Sequence, residues 1–276
     1  MSPPVVERGA IVLCGGRSTR MGRPKAWLPW RGQPMVAHVV SVLREVVDEV
    51  VVVTSEALDP PSLPARIVRD EEPGRGPLAG LAVGLAHLDA GLAFATSTDA
   101  PFLAPAFVEA VLSHGRAAAP VQDGFVQTLA AAYLGDGALR ARELLREGRR
   151  RPLDLLEAQD YLALDAVLLP EQDSLRGFNT PDEYLAAVAA DAGGATAALE
   201  FVGRPRTLAG CDVLEVPVGS LAEVLSHAPA HLELCRDERV AAPYLVSLGG
   251  RDFVRDARVP IGPGERVIVL DAAAGG

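Results

Sequence analysis

The segment Leu13-Cys14-Gly15-Gly16-Arg17-Ser18-Thr19-Arg20-Met21-Gly22-Arg23-Pro24-Lys25 has the make-up of a phosphate-binding loop. Its glycines let main-chain amides approach phosphate oxygens without Cβ interference, and Arg20 and Lys25 add charge suited to a triphosphate. It is not a Walker loop, because no Gly-Lys-Ser/Thr is present, and its glycines lack the dinucleotide-binding spacing. Of the 26 lysines and arginines only Lys25 is a lysine. An arginine-favouring coding bias with one survivor competes with a need for an ammonium there, and the place of Lys25 inside the glycine loop favours the chemical reading. The second candidate is Asp99 in Ser97-Thr98-Asp99-Ala100-Pro101. Magnesium takes one or two carboxylates plus phosphate oxygens, so a single aspartate suffices as its protein ligand. In isolation Asp99 reads as an Asx turn closing a strand; its expected position on the same sheet edge as the glycine loop raises the metal reading above that.

The elements that must position these residues are legible as hydrophobic runs. Ala10–Leu13 and Val50–Val53 are short, continuous apolar stretches of the kind parallel strands show when both faces are covered. Between them, Met35–Val47 has helical apolar spacing, which completes one βαβ unit. A strand at Leu92–Thr96 leads to Asp99, and Pro101 keeps the chain from entering a helix at once. Helices are expected near 105–113, 137–147 and 181–190, and strands near 128–133 and 166–169. This alternation implies an α/β class fold: a three-layer, Rossmann-like sandwich with a mainly parallel sheet. Residues 189–197 are small and weakly polar, and 191–197 is expected to link residues 1–190 to a second domain at 198–276. That second part reads as strand, strand, helix, strand, strand. Ser220 and Glu223 form a capping box for its helix, and Gly249-Gly250 marks a hairpin.

Composition narrows the function classes. A net charge of -10 argues against coating nucleic acid, which needs a basic surface, while leaving room for a small anion held by local donors. Three separated cysteines (14, 211 and 235) fit neither a disulfide framework nor a zinc site, and no apolar window or leader-like start stands out. The expectation is a soluble cytoplasmic protein without membrane contact. The histidines at 38, 87, 114, 227 and 231 form no ligand-spaced cluster and read as surface or capping residues.

The motif L-x-G-G-x-x-x-R-M-G-x-x-K, followed by Gly76-Pro77-Leu78-Ala79-Gly80, Thr98-Asp99-Ala100-Pro101 and Phe178-Asn179-Thr180-Pro181, resembles the molybdenum cofactor guanylyltransferase (MobA) family over roughly residues 8–190. The resemblance implies that Leu13, Cys14, Gly15 and Lys25 bind GTP beside Gly16 of the same loop. It also implies that Asp70 lines the nucleotide site, that Asp99 binds Mg²⁺ and nucleotide, and that the stretch ending at Gly80 helps read guanine. Asn179 would lie beside the pocket for molybdopterin, with Thr180, Pro181 and Glu183 explained as a helix cap. Two positions depart from the family pattern: Cys14 stands where alanine is usual, and Thr54 where a nucleotide-contacting asparagine is often found. The glycine loop is shared with cytidylyltransferases of similar fold, so guanine rests mainly on Gly76–Gly80. A cytidylyltransferase or other nucleotidyltransferase, or a scaffold without catalysis that positions the second domain, is the alternative.

Residues 198–276 resemble the MoaD-type sulfur carrier, the small subunit of molybdopterin synthase. The likeness rests on Tyr244-Leu245-Val246-Ser247-Leu248-Gly249-Gly250, Gly262-Pro263-Gly264-Glu265-Arg266-Val267 and the closing Gly275-Gly276. It implies a β-grasp (ubiquitin-like) fold and adenylation of Gly276 by a partner enzyme. Conversion to a thiocarboxylate and docking on a synthase large subunit would follow. Arg251 and Asp252 stand where that family often has Asn-Gly-Glu.

Overall fold

The computed structural model describes residues 8–15, 21–56, 58–70 and 75–272. Gly16, Arg20 and Gly276, three of the residues singled out above, lie outside them. The chain forms two compact units, one of Met1–Arg17 with Met35–Gly177 and the other of Ser18–Pro34 with Phe178–Gly276.

The first unit is built on a sheet of β1 (Arg8–Cys14), β2 (Glu49–Ser55), β3 (Arg66–Asp70), β4 (Leu92–Ser97), β5 (Ala118–Gln122), β6 (Phe125–Val126), β7 (Ala130–Leu134) and β8 (Leu162–Asp165). Its order is β8-β5-β7-β4-β1-β2-β3, with β6 added to β5. The pairs β4–β1, β1–β2, β2–β3 and β8–β5 are parallel, and β7 runs antiparallel to both its neighbours. Successive residues of β1 serve opposite faces. Ile11 joins a buried cluster with Leu78, Leu81 and Leu85 of α2 (Pro77–Ala86). Leu144 of the helix Gly137–Arg146 and Leu155 and Leu156 of the helix Pro152–Ala158 complete that layer. The other face is covered by α1 (Met35–Leu43) and the helix Pro105–Leu112, where Phe107 meets Phe94 of β4 edge-on at 6.4 Å.

The expected elements need three corrections. The helix beginning at Met35 stops at Leu43. The strand expected near 166–169 lies earlier, at Leu162–Asp165, because the Asp165 carboxylate accepts the Val167 N–H and turns Ala166–Leu168 into a 3₁₀ turn. His38 is 5% exposed, not a surface or capping residue, since its helix turns that face inward.

In the second unit, β9 (Thr196–Phe201), β10 (Val213–Pro217), β11 (Tyr244–Leu248), β12 (Asp252–Val254) and β13 (Arg266–Asp271) form a sheet of order β10-β9-β13-β11-β12. Only the central β9–β13 pair is parallel. The helix Leu221–Ser226 starts on the expected capping box: Ser220 Oγ accepts the Glu223 N–H, and the Glu223 carboxylate accepts the Ser220 N–H. Leu221, Val224 and Leu225 pack into one core with Leu199, Phe201, Val246, Val267 and Val269. Gly249 and Gly250 both have positive φ (58° and 76°), as the tight turn between β11 and β12 requires. The helix Pro181–Asp191 ends shortly before β9, which begins at Thr196 inside the stretch expected to link two domains.

Candidate nucleotide site

In the first unit, four parallel strands bring the predicted residues to one edge. Leu13 pairs with Ser97, Cys14 with Thr54, and Ser55 with Asp70, so the last residues of β4, β1, β2 and β3 stand side by side at their C-terminal ends. This is the edge at which open α/β sheets bind ligands. The chain leaves β1 through Gly15, which is exposed, lacks a positive φ, and has no described atom within 4 Å of where a Cβ would stand. Neither backbone conformation nor packing within the described residues calls for glycine there.

Cys14 and Thr54 are each 1% exposed. Burial pushes the Cys14 thiol up to about 12, against a smaller opposing effect of the Thr54 hydroxyl, so its sulfur stays neutral. The Thr54 hydroxyl donates to the Leu58 carbonyl at 3.2 Å. Asp70 ends β3 and is half-buried.

Asp99 follows β4 by two residues and is half-buried, with the Ser97 hydroxyl donating to its Oδ1. The turn after it is clamped from several sides. His38 Nε2 lies 3.0 Å from the Pro101 carbonyl. Ser174, 3% exposed, accepts the Ala104 N–H at 3.1 Å and donates to the Phe102 carbonyl at 3.3 Å. A Cβ on Gly177 would come within 2.8 Å of the Asp99 carbonyl oxygen, so only glycine lets that segment pass. Sequence reasoning missed these supports. The apolar face that carries His38 was visible, yet nothing in the sequence paired it with Pro101.

Behind β1, α2 opens on Gly76, whose φ of 89° and ψ of 174° suit only glycine, with Pro77 in the first turn. A Cβ on Gly80 would stand 3.0 Å from Leu13 Cδ2, so part of the Gly76–Gly80 stretch is explained by close helix–strand packing.

Lys25 belongs to the second unit, where it opens a 3₁₀ turn, Lys25–Trp27. Its Nζ donates to the Phe178 carbonyl at 2.6 Å and to Asn179 Oδ1 at 3.2 Å, and stands 5.3 Å from the Phe178 ring centroid. Two motifs some 150 residues apart thereby meet. Thr180 caps the following helix by accepting the Glu183 N–H at 3.2 Å; the Glu183 carboxylate takes the Asn179 N–H in place of that of Thr180, so the expected capping box is displaced by one residue.

Among the described residues, no group of three or more His, Cys, Asp or Glu side chains is placed to hold a metal, and no helix is long and apolar enough to cross a membrane. An open cavity of about 550 Å³ beside Gly203, Arg206, Cys211 and Asp212 contains none of the candidate residues.

A family model described as the MobA-like NTP transferase domain matches residues 10–162. A probable molybdenum cofactor guanylyltransferase of Mycobacterium tuberculosis H37Rv is 36% identical over 194 residues, covering 66% of this chain and 96% of that protein. One from Mycobacterium avium strain 104 is 35% identical over 185 residues, covering 63% and 92%. Among solved structures, molybdopterin-guanine dinucleotide biosynthesis protein A of Archaeoglobus fulgidus is similar with a TM-score of 0.54 at 23% identity, covering 65% of this chain and 96% of that one. The 2-C-methyl-D-erythritol 4-phosphate cytidylyltransferase of Thermus thermophilus gives 0.52 at 19%, covering 67% and 98%. At these identities the structural likenesses speak for the fold alone.

Proposed function

Because this chain belongs to the MobA-like NTP transferase family and is a molybdenum cofactor guanylyltransferase-like nucleotidyltransferase, we propose that it transfers GMP from GTP to molybdenum-bound molybdopterin with release of pyrophosphate. The observation that carries this reading is the shared edge of β4, β1, β2 and β3, which aligns the start of the glycine loop with Thr54, Asp70 and the clamped turn of Asp99.

In the reaction, an oxygen of the pterin's terminal phosphate attacks the α-phosphorus of GTP. The bond from that phosphorus to the oxygen bridging to the β-phosphate breaks, and its electron pair leaves with pyrophosphate. The protein supplies charge and orientation and needs no covalent intermediate. Main-chain amides at Gly15 and Gly16 donate to phosphate oxygens, and Arg20 and Lys25 offset charge on the triphosphate. Leu13 and Gly80 set the floor of the nucleotide site, with Asp70 at its far end. Asn179, already joined to Lys25, lies on the pterin side. The donor set suits Mg²⁺: a half-buried carboxylate, Asp99, oriented by a neighbouring hydroxyl, with nucleotide phosphates to complete the shell. Bound there, Mg²⁺ would neutralise phosphate charge. Purified protein with GTP, Mg²⁺ and molybdopterin is expected to release pyrophosphate, and Asp99→Ala to stop it; full turnover in that variant would remove the metal role.

One competing reading, transfer of CMP, rests on the glycine loop, whose pattern cytidylyltransferases of similar fold share. Calorimetry with GTP, CTP and ATP in Mg²⁺ separates the two, and binding of none of them would leave a scaffold without catalysis.

For residues 198–276 we propose a β-grasp sulfur carrier of MoaD type. Its sheet order places second, first, fifth, third and fourth strands side by side, with first and last parallel and a helix between the second and third. β13 ends at Asp271, five residues short of Gly276. The Gly276 carboxylate would attack the α-phosphorus of ATP in an adenylating enzyme, releasing pyrophosphate. A sulfur donor would then displace AMP to leave a thiocarboxylate for the large subunit of molybdopterin synthase. Mass spectrometry after incubation with that enzyme, ATP and a sulfur donor should find the change at Gly276; an unmodified terminus would reject the carrier role.

A further inference from the structure

We propose that Glu265 is a positioning residue for nucleotide binding, holding the segment that bears Lys25 through an ion pair with Arg23. The inference rests on the reading of Lys25 as a triphosphate ligand. Arg23 Nη1 lies 2.6 Å from Glu265 Oε1, and both side chains are only 8% exposed. The same guanidinium nitrogen donates to the Pro260 carbonyl at 3.3 Å, while Glu265 Oε2 accepts the Gly262 N–H at 3.1 Å. The carboxylate is therefore fixed by its own loop and presented, immediately before β13, to an arginine 242 positions earlier.

Three features turn this pair into a device for placing Lys25. Only Pro24 separates Arg23 from Lys25, and its ring locks φ (here -63°), so the main chain between the two residues has few soft dihedrals. The far end of the same 3₁₀ turn is held by the same sheet: the Arg251 guanidinium, from the turn between β11 and β12, stacks 4.1 Å from the Trp27 ring centroid. A Cβ on Gly22 would meet Val259 Cγ2 at 2.9 Å, so the segment also passes close before Arg23. A buried ion pair is a weak source of stability, because desolvation offsets much of its attraction; what it supplies is a fixed geometry. Here that geometry is imposed on the segment carrying the chain's one lysine.

The test uses the full chain and measures affinity for GTP in Mg²⁺ by calorimetry, with Tm alongside. Glu265→Gln keeps the side chain's shape and its acceptor for Gly262 but removes the charge. Its GTP affinity is expected to fall on the order of tenfold. Val267→Ala, two residues on and fully buried in β13, is expected to lower Tm and leave GTP affinity unchanged. In a Lys25→Ala background the Glu265→Gln loss should vanish, since both act through one ammonium. Should Glu265→Gln fail to fold, Glu265→Asp, with the charge one methylene shorter, is expected to show an intermediate loss. Wild-type GTP affinity in a folded Glu265→Gln or Glu265→Asp protein, or an equal loss in Val267→Ala, overturns the inference while the role of Lys25 stands. Wild-type affinity in Lys25→Ala removes that role itself.

Discussion

α2 lies so close to β1 that two of its glycines behave as spacers, and the spacing differs enough between them to be measured. A Cβ on Gly84 would stand 2.6 Å from Ile11 Cγ2 and 3.0 Å from its Cδ1; on Gly80 it would stand 3.0 Å from Leu13 Cδ2 and 3.8 Å from Cδ1. Alanine brings both helix positions the same propensity gain, about 1 kcal/mol. The steric cost is not the same. Ile11 is fully buried, and its Cγ2 sits on a β-branched carbon with a stiff χ1. Forcing a methyl group into such a core costs about 1–3 kcal/mol. Leu13 is partly exposed, and the contact is the end of a longer side chain that can turn aside. Gly84→Ala is therefore expected to lose about 0–2 kcal/mol net, and Gly80→Ala to lie between neutral and about 1 kcal/mol more stable. Urea unfolding, with hydrogen exchange followed over β1 and α2, reads this unit apart from the other. Gly84→Ala more stable than Gly80→Ala would refute the packing argument. With the fold of Gly80→Ala intact, its GTP affinity then reports directly on the recognition role proposed for that stretch.

Two further outcomes follow from titrating groups. Because burial holds the Cys14 thiol neutral up to about 12 while an unfolded cysteine ionises near 8.5, Cys14 contributes stability below about pH 8.5 that is lost as pH rises toward 12. Iodoacetamide at pH 8 should leave Cys14 unlabelled in the folded chain, as read by peptide mass spectrometry, and rapid labelling without unfolding would contradict its placement. The Asp154 carboxyl, hydrogen-bonded by the Arg151 side chain and 3% exposed, is held below the usual carboxylate range. Its contribution is present above about pH 4 and lost as pH falls further, so Asp154→Asn should destabilise the protein at pH 7 and progressively less in acid. A difference in Tm that stays constant from pH 7 to 3 would sink that account.

Much of the parallel half of the first unit is legible from the sequence because parallel strands buried on both faces leave continuous runs such as Ile11-Val12-Leu13 and Val50-Val51-Val52-Val53. The rest fails for identifiable reasons. Leu162–Asp165 has an exposed leucine at its start and no β-branched residue, while Ala166–Leu168 is diverted by a local side-chain bond from Asp165, which a pattern of hydrophobicity does not contain. Among the candidate residues, those whose chemistry is intrinsic stand out: the glycines, Lys25 and Asp99, whereas Asp70 is marked only by the family resemblance. Residues that work only by long-range placement do not. His38, Ser174 and Gly177 are separated from the Asp99 turn by some 60–80 positions, and Glu265 from Arg23 by far more; each is an ordinary residue type until the fold sets it down. Thr54 shows the converse, a position marked by its departure from a family pattern whose hydroxyl proves to be turned onto Leu58.

The same sheet geometry separates the duties of Asp70 and Asp99. β4 and β3 are three steps apart in the order β4-β1-β2-β3, and adjacent strands are spaced about 4.8 Å, so their axes lie about 14 Å apart. Two carboxylates on one Mg²⁺ need oxygens within about 4.2 Å of each other, since each Mg–O distance is about 2.1 Å. An aspartate reaches only about 2.5–3.5 Å from its Cα, too little for the pair to close the gap without moving a strand. If Asp99 holds Mg²⁺ as proposed, this spacing favours phosphates and water as the metal's other ligands and assigns Asp70 to the end of the nucleotide away from the reacting phosphorus. Asp99→Asn is expected to raise the Mg²⁺ concentration needed for half-maximal pyrophosphate release, with Asp70→Asn raising KM for GTP at unchanged Mg²⁺ dependence. If Asp70→Asn shifts the Mg²⁺ requirement as far as Asp99→Asn does, the two carboxylates share an ion and the spacing argument is wrong.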